Sequence, residues 1–246
     1  MIIGVVIPAY NEEHYLKACL DSIDVAIQQI SIYQQSTSTH HLNKQSSAKK
    51  RFRPENEFEI KIQVLVVLDS CKDGSLRIVQ NSKAAYLECD VNSVGIARDL
   101  GVRELIRQGA DWVACTDADS TVDVLWLVEQ ICAQPTDAIC GVVDVDRWDT
   151  LSKKTKYEYI SQYQDCMNHT HIHGANLSFS AAAYIAAGGF QPIACHEDVR
   201  LVEQMQAMNL NITWTNRVRV TTSSRLDARA PEGFAHFLKT IECNQS

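Results

Sequence analysis

Several features that would assign the 246-residue chain to common classes of protein are missing from its sequence. The nine cysteines form no Cys-x-x-Cys pair and most lie in apolar stretches, which argues against a zinc site and favours reduced thiols in the core. No apolar run reaches the length of a membrane span, and no basic leader precedes the first apolar stretch. We therefore expect a soluble, cytoplasmic protein for which peripheral membrane contact stays open.

An excess of basic residues is also absent. The chain carries 23 Lys and Arg against 30 Asp and Glu, a formal net charge of −7, whereas nucleic-acid binding depends on clustered positive charge. No Gly-x-Gly-x-x-Gly motif follows the first apolar run, which disfavours an NAD-type dinucleotide domain. We expect no nucleic-acid partner. The 46% apolar content suffices for the core of an ordinary globular protein.

Apolar runs that alternate with amphipathic helical stretches predict an α/β fold with a mostly parallel, doubly wound sheet. Residues 2–7, 60–68 and 112–115 are predicted strands, and each is followed by a helical pattern. The polar stretch 34–59 reads as an exposed insertion, and the second half is less regular. Because no repeat or linker is visible, we predict one domain over residues 1–246.

The strand at 112–115 is the element around which we expect the chain to be organised. Trp112 and Ala114 would point to one side of the sheet, and Val113 and Cys115 to the other, so the strand is predicted to be buried on both faces.

The predicted strand at 112–115 is followed at once by Asp117 and Asp119. Ligands bind at the carboxyl ends of strands in open α/β sheets, and two acids there repel each other unless a cation lies between them. Oxygen ligands suit Mg²⁺ or Mn²⁺, which complete their shell with water and phosphates. A solvated turn is the alternative, since Asp is common in turns.

Acidic groups end further strands and loops, in the order 7–12 (Ile-Pro-Ala-Tyr-Asn-Glu), 69–75, 117–119 and 197–198. With the segments 173–176 and 188–190 they resemble glycosyltransferase family 2 over most of the chain. The resemblance implies a GT-A fold with a Rossmann-like sheet. Residues 1–120 would bind a nucleotide sugar, and residues 121–246 would form the acceptor-binding half.

By this resemblance, four residues of the first loop would line the nucleotide base and ribose: Pro8, Ala9, Tyr10 and Glu12. Tyr10 offers an aromatic face for a base, and Glu12 can accept hydrogen bonds from ribose hydroxyls. Glu12 can also serve the N-terminus of the first helix. Asp69 is similar to the acid that reads the base in the family, although an Asp at a strand end is often a turn former.

The resemblance also assigns the chemistry. Asp119 would be the principal ligand of Mg²⁺ or Mn²⁺, with Asp117 near the ribose or the metal's water shell. Asp198, next to Glu197, would be the general base that deprotonates an acceptor hydroxyl, so that the transfer inverts configuration. The same pair could serve only as N-terminal acids of a helix.

The acceptor or phosphate side is predicted to include six residues: His173, Gly174, Ala175, Asn176, Arg225 and Arg229. The two arginines could clamp a diphosphate or an acidic acceptor. The chain departs from the family pattern where residues 70–72 separate Asp69 from Asp73, and where no histidine in 220–234 offers a third metal ligand. It also lacks a Gln-x-x-Arg-Trp motif, so a processive polymer synthase is disfavoured.

The predicted function is an inverting, metal-assisted transfer of one sugar from a nucleotide-diphosphate donor, with UDP favoured, to an unknown hydroxyl acceptor. A sugar-1-phosphate nucleotidyltransferase is one alternative, although residues 9–13 are acidic and lack the glycine-rich loop that holds a triphosphate. A catalytically degenerate module that binds sugar nucleotides is the other.

Overall fold

A computed structural model describes residues 1–43, 59–148, 151–225 and 242 of the chain. These residues form a sheet with helices on its two faces. The strands are β1 (Ile2–Ala9), β2 (Lys61–Asp69), β3 (Ala85–Cys89), β4 (Trp112–Cys115), β5 (Ser120–Val122), β6 (Ala138–Val145), β7 (Leu177–Ser180) and β8 (Ile212–Thr222). The helices are α1 (Leu16–Asn43), α2 (Ser75–Gln80), α3 (Val94–Arg107), α4 (Trp126–Cys132), α5 (Lys153–Gln162), α6 (Ala181–Ala186) and α7 (Glu197–Ala207), and a 3₁₀ turn spans Gly174–Asn176.

The eight strands follow the order β3-β2-β1-β4-β7-β6-β8-β5. The first four in that order are parallel neighbours, as are β6 and β8, whereas β7 runs antiparallel to both β4 and β6 and β5 runs antiparallel to β8. The predicted α/β class and mostly parallel sheet are confirmed. The antiparallel β7 lies in the middle of the sheet and separates its two parallel parts.

Strand β4 is buried on both faces, as its alternation predicts. Trp112 and Ala114 pack in the core under α1 and α4, and Val113 and Cys115 pack in the core under α3, α6 and α7. A strand covered by helices on both sides has no polar face, which explains why its sequence is a continuous apolar run.

Several boundaries differ from the sequence prediction. Helix α1 continues to Asn43, so the first ten residues of the predicted insertion are helical, and 44–58 lie outside the described residues. Strands β5 and β7 were not predicted, because three and four residues carry little periodic signal. Cys132 lies in one of the apolar stretches whose cysteines were predicted to be in the core, but it is exposed at the end of α4, so that prediction is wrong for this residue. Within the described ranges, no helix combines the length and apolarity needed to cross a bilayer.

Helix α3 approaches the sheet closely at Gly101. A Cβ atom there would lie 2.4 Å from Val6 Cγ2 and 2.7 Å from Val67 Cγ2, on two central strands. The glycine is therefore required by the packing of the helix against β1 and β2 and not by its backbone conformation.

We predict that Gly101→Ala lowers the free energy of unfolding by about 1–3 kcal/mol, because the added methyl group overpacks this contact. The higher helix propensity of alanine would offset only about 1 kcal/mol. Urea unfolding followed by circular dichroism measures the change. Gln108→Ala, at the exposed end of the same helix, is the control and should stay within about 0.5 kcal/mol of wild type. Equal stability of all three proteins would contradict the packing argument.

Candidate active site

A cavity of about 870 Å³ opens at the carboxyl ends of β1, β2 and β4. Thirteen of the residues predicted from the sequence line it: Pro8, Ala9, Tyr10, Glu12, Asp69, Asp117, Asp119, His173, Gly174, Ala175, Glu197, Asp198 and Arg225. Arg229 lies outside the described residues. Residues spread over more than two hundred positions of sequence therefore meet in one place, as strand ends of a single sheet would require.

Asp69 is buried at the end of β2, and its carboxylate holds the backbone of the next loop. It accepts hydrogen bonds from the amides of Val91 (2.8 Å), Asn92 (3.0 Å) and Ser93 (2.9 Å). Ser93 is the N-cap of α3. Asp69 thus fixes the start of α3 beside the cavity, in addition to any contact with a ligand.

The loop after Asp69, which departs from the family pattern, is hydrogen-bonded through backbone amides to the loop after β1. Lys72 N–H donates to Asn11 Oδ1 at 2.8 Å, and Gly74 N–H donates to Glu13 Oε2 at 2.7 Å. In the opposite direction, Glu13 N–H donates to an oxygen of Asp73 at 2.9 Å. The inserted residues therefore join two loops of the cavity rim into one unit.

Arg225 bridges two acids that line the cavity, Glu12 and Asp119. Its guanidinium forks onto both oxygens of Glu12, at 2.8 and 2.9 Å, and Nη2 also lies 2.8 Å from Asp119 Oδ2. Glu12 was predicted to meet a ribose, and Arg225 was predicted to meet phosphate or an acidic acceptor. In this structure the two side chains pair with each other.

Asp119 is buried, and Arg225 only partly balances its negative charge. Burial, together with the neighbouring Asp117 and Glu12, raises its pKa to about 6, and Arg225 opposes this rise. Asp119 Oδ1 accepts a long hydrogen bond, 3.4 Å, from the Ser120 hydroxyl. This oxygen is the group that the protein can offer to a cation.

A second arginine, Arg98 of α3, links Asp117, which follows β4, to Glu197 at the start of α7. One arm donates to Asp117 Oδ1 at 2.8 Å and the other to Glu197 Oε1, and the side chain is 3% exposed. Burial by itself would lower the pKa of Arg98, but Asp117 and Glu197 outweigh it and raise the pKa. The guanidinium is therefore permanently charged and holds two acids that would otherwise repel each other.

Asp198 is the second residue of α7. Its carboxylate accepts from the amides of Gly174 (2.6 Å) and Val199 (2.8 Å), so both oxygens are held in place. Burial raises the pKa of Asp198, and Glu197 adds to the rise, while Arg98 and the two amides oppose it. A partly buried carboxylate with a raised pKa is a suitable proton acceptor.

Asn176 does not line the cavity, so its prediction as an acceptor-side residue is corrected. The side chain is fully buried: Nδ2 donates to the carbonyls of Val142 (2.7 Å) and Val218 (2.9 Å), and Oδ1 accepts from Trp126 Nε1 (2.9 Å). These hydrogen bonds satisfy carbonyl oxygens of β6 and β8 beside the β-bulge between Cys140 and Val142. The role of Asn176 is therefore structural.

Arg98 is the functional residue that sequence reasoning missed. Its position repeats with Gly101, Val102 and Leu105 on the buried side of α3. A charged residue on the apolar face of a helix indicates a buried ion pair. Burying an unpaired charge is costly, so other parts of the chain must supply its partners. The partners themselves lie 19 and 99 positions away and could not be read from the pattern.

Comparisons with known proteins identify the family and the fold. The family model described as Glycosyl transferase family 2 matches residues 4–187. No curated protein matches the chain in sequence. S. aureus TarS in complex with UDP-GlcNAc has a TM-score of 0.59 and 14% identity, over 92% of this chain and 59% of TarS. Mannosyltransferase PcManGT from Pyrobaculum calidifontis, in complex with GDP-Man and Mn²⁺, has a TM-score of 0.55 and 16% identity, over 97% of this chain and 60% of its own.

The family model covers most of the chain and assigns it to the class of glycosyl transferases. The chain belongs to glycosyl transferase family 2. It spans about three fifths of the length of the two structures compared above.

We predict that Arg98→Met destabilises the protein by about 3–5 kcal/mol, because Asp117 and Glu197 lose their shared cation in a buried place. Arg107→Met on the same helix is the control. Arg107 pairs with Glu104 on the surface, and such pairs contribute about 0–1 kcal/mol. Chemical denaturation of both variants measures the difference, and similar losses for the two would contradict the bridging role of Arg98.

The raised pKa of Asp119 predicts a pH dependence of stability without metal. The folded state keeps this proton up to about pH 6, whereas the unfolded chain loses it near the ordinary value of 3.8. The stabilisation of the folded state by this bound proton is therefore complete at low pH and is lost as the pH rises through about 6. Relative to Asp119→Asn, which does not titrate, wild type should lose roughly 2–3 kcal/mol between pH 4 and pH 7. Urea unfolding at each pH measures this difference. An equal change in the free energy of unfolding of wild type and Asp119→Asn across this range would contradict the assignment.

Proposed function

We propose that the enzyme moves a single sugar from a nucleotide-diphosphate sugar to a hydroxyl group of an acceptor, with inversion at the anomeric carbon and with Asp198 as the general base. The observation that carries this proposal is the single cavity, in which the Asp117 and Asp119 pair and Asp198 face the same space. A base on one side and a phosphate-neutralising group on the other are the two requirements of such a displacement.

Asp198 is suited to take the proton of the attacking hydroxyl. The amides of Gly174 and Val199 hold its oxygens in fixed directions, and its raised pKa favours proton acceptance. The hydroxyl oxygen would attack the anomeric carbon from the side opposite the diphosphate, so one bond forms as the other breaks. General-base assistance of this kind contributes roughly 10²–10⁴-fold to the rate.

The described lining of the cavity needs added positive charge before it can accept a diphosphate. Six carboxylates and two guanidinium groups line it, a formal excess of four negative charges. Among the described residues no cluster of three metal-ligating side chains is present. Asp119, with Asp117, would hold a Mg²⁺ or Mn²⁺ ion whose remaining ligands are water and phosphate, and this donor set of oxygens fits such a hard ion. When bound, the ion would supply Lewis-acid stabilisation of the leaving diphosphate.

Arg225 can pair with either carboxylate or phosphate oxygens on the donor side. Its fork onto Glu12 and its contact with Asp119 keep both acids paired while phosphate is absent. The guanidinium matches phosphate oxygens as well as carboxylates, so it can exchange one for the other when the donor arrives.

UDP is the favoured nucleotide, with GDP as the alternative. TarS binds UDP-GlcNAc and PcManGT binds GDP-Man, and both share the fold of this chain. Tyr10 is 45% exposed at the rim and offers a ring face to either base. The nucleotidyltransferase alternative is disfavoured, because the first loop places Glu12 and Glu13 where such enzymes need triphosphate-binding groups.

The test is release of nucleoside diphosphate from UDP- and GDP-sugars in the presence of Mn²⁺ and a mixture of hydroxyl acceptors. Asp198→Asn should lower the rate by at least ~10²-fold and leave donor affinity within about threefold, measured by calorimetry. Glu203→Gln, an exposed acid on the same helix, should behave like wild type. Donor binding without turnover by wild type, whatever the acceptor, would instead support a degenerate binding module.

A further inference from the structure

Two histidines on the acceptor side of the cavity are held by the protein in a single tautomer. His171 and His173 alternate along one short segment, and both line the same cavity as Asp198. Gly174, the residue after His173, donates its amide to Asp198. The segment that carries the two histidines is therefore bonded to the group assigned as the base, although neither ring is used in the mechanism above.

The tautomer of His171 follows from its partner. The backbone amide of Gln164 donates to Nε2 at 2.9 Å, and an amide can only donate. Nε2 must therefore be unprotonated, and the proton of the neutral ring is on Nδ1. Burial lowers the pKa of His171, and His169 lowers it further, so the ring is neutral near pH 7.

The tautomer of His173 is assigned from a hydrogen-bond chain. Val143 N–H donates to the Tyr163 hydroxyl oxygen at 2.8 Å, and that hydroxyl lies 3.1 Å from His173 Nε2. Burial raises the pKa of Tyr163, so the hydroxyl keeps its proton. Because the hydroxyl oxygen already accepts from Val143, we assign this proton to the contact with His173 Nε2. Burial, with His171 and His169, lowers the pKa of His173 to about 3, so this ring is also neutral with its proton on Nδ1.

The Tyr163 ring makes this arrangement rigid. It stacks on His171 with ring centroids 4.1 Å apart and an interplanar angle of 4°, and it stacks on Tyr159 at 5.1 Å. These contacts and the hydroxyl of Tyr163 help to orient the two histidines. Both histidine rings use Nε2 to bond to the protein, and among the described residues neither Nδ1 has a hydrogen-bond partner.

We infer that His171 and His173 bind the acceptor through their two Nδ1–H groups, and that the acceptor is an uncharged, hydroxyl-rich molecule such as a sugar. This inference rests on the proposed function. Neutral N–H donors pair well with hydroxyl and ring oxygens but supply no charge to bind a phosphate or carboxylate. The excess of carboxylates among the described residues around the cavity would repel an anionic acceptor as well.

The first experiment reads the tautomers directly and does not depend on finding the acceptor. ¹⁵N-¹H long-range NMR spectra of protein labelled on histidine should show His171 and His173 at pH 7 with Nδ1 protonated and Nε2 unprotonated. Tyr163→Phe should change the His173 pattern and leave His171 bound to the Gln164 amide. An Nε2–H form, or a doubly protonated ring, at either position in wild type would overturn the inference.

The second experiment uses side chains that mimic one ring nitrogen each. Asparagine places its amide nitrogen near the position of Nδ1, and glutamine places it near Nε2. His173→Asn should keep the acceptor KM within about threefold of wild type, whereas His173→Gln and His173→Phe should raise it about tenfold or more, as expected for loss of one hydrogen bond. The donor KM should not change, and His171 variants should follow the same order. Equal acceptor KM values for Asn, Gln and Phe would refute the assignment.

The acceptor class is tested with matched pairs. Glucose and methyl glucoside should be used at least tenfold better, as kcat/KM, than glucose 6-phosphate and glucuronic acid. Preference for the anionic member of a pair would overturn the inference about charge. If wild type neither binds nor cleaves any nucleotide sugar, the proposed function itself has failed; if it turns donor over but the histidine variants leave the acceptor KM unchanged, only this inference has failed.

Discussion

The guanidinium of Arg98 is the contact on which the arrangement of the site depends. It lies between Asp117, at the end of the central strand, and Glu197, at the start of α7. Without a cation there, the donor-side and acceptor-side acids would repel across a buried gap. The fold accommodates this large side chain with two glycines: a Cβ at Gly174 would lie 2.9 Å from Arg98 Nη1, and one at Gly95 would lie 2.9 Å from Glu197 Cγ.

The acids of the cavity are thus arranged in pairs around arginines. Arg98 joins Asp117 to Glu197 deep in the site, and Arg225 joins Glu12 to Asp119 nearer the rim. The buried arginine is enclosed by structure, while the other is more exposed and comes from the end of the β8 segment. The difference in burial is consistent with two roles. The buried Arg98 would hold the site together, and the more exposed Arg225 would be able to exchange partners during a reaction.

The sequence predicts the fold where signals are local and repeated. The two-sided burial of Trp112 to Cys115 follows from alternation alone, and the acids at strand ends follow from sheet geometry. It fails where structure depends on distant pairing: β5 and β7 are short strands set by partners far along the chain. The same limit explains Asn176, whose motif indicated a ligand, whereas its partners are carbonyls on β6 and β8.

The position of β7 has a consequence for how the chain can be divided. It lies between β4, from the first half of the chain, and β6, from the second half, and it pairs antiparallel with both. A break in the backbone between the halves would leave each fragment with an open sheet edge and an uncovered apolar surface. The pieces would regain a native sheet only by reassociating, which makes this enzyme a natural starting point for a two-part reporter whose signal depends on fragment complementation.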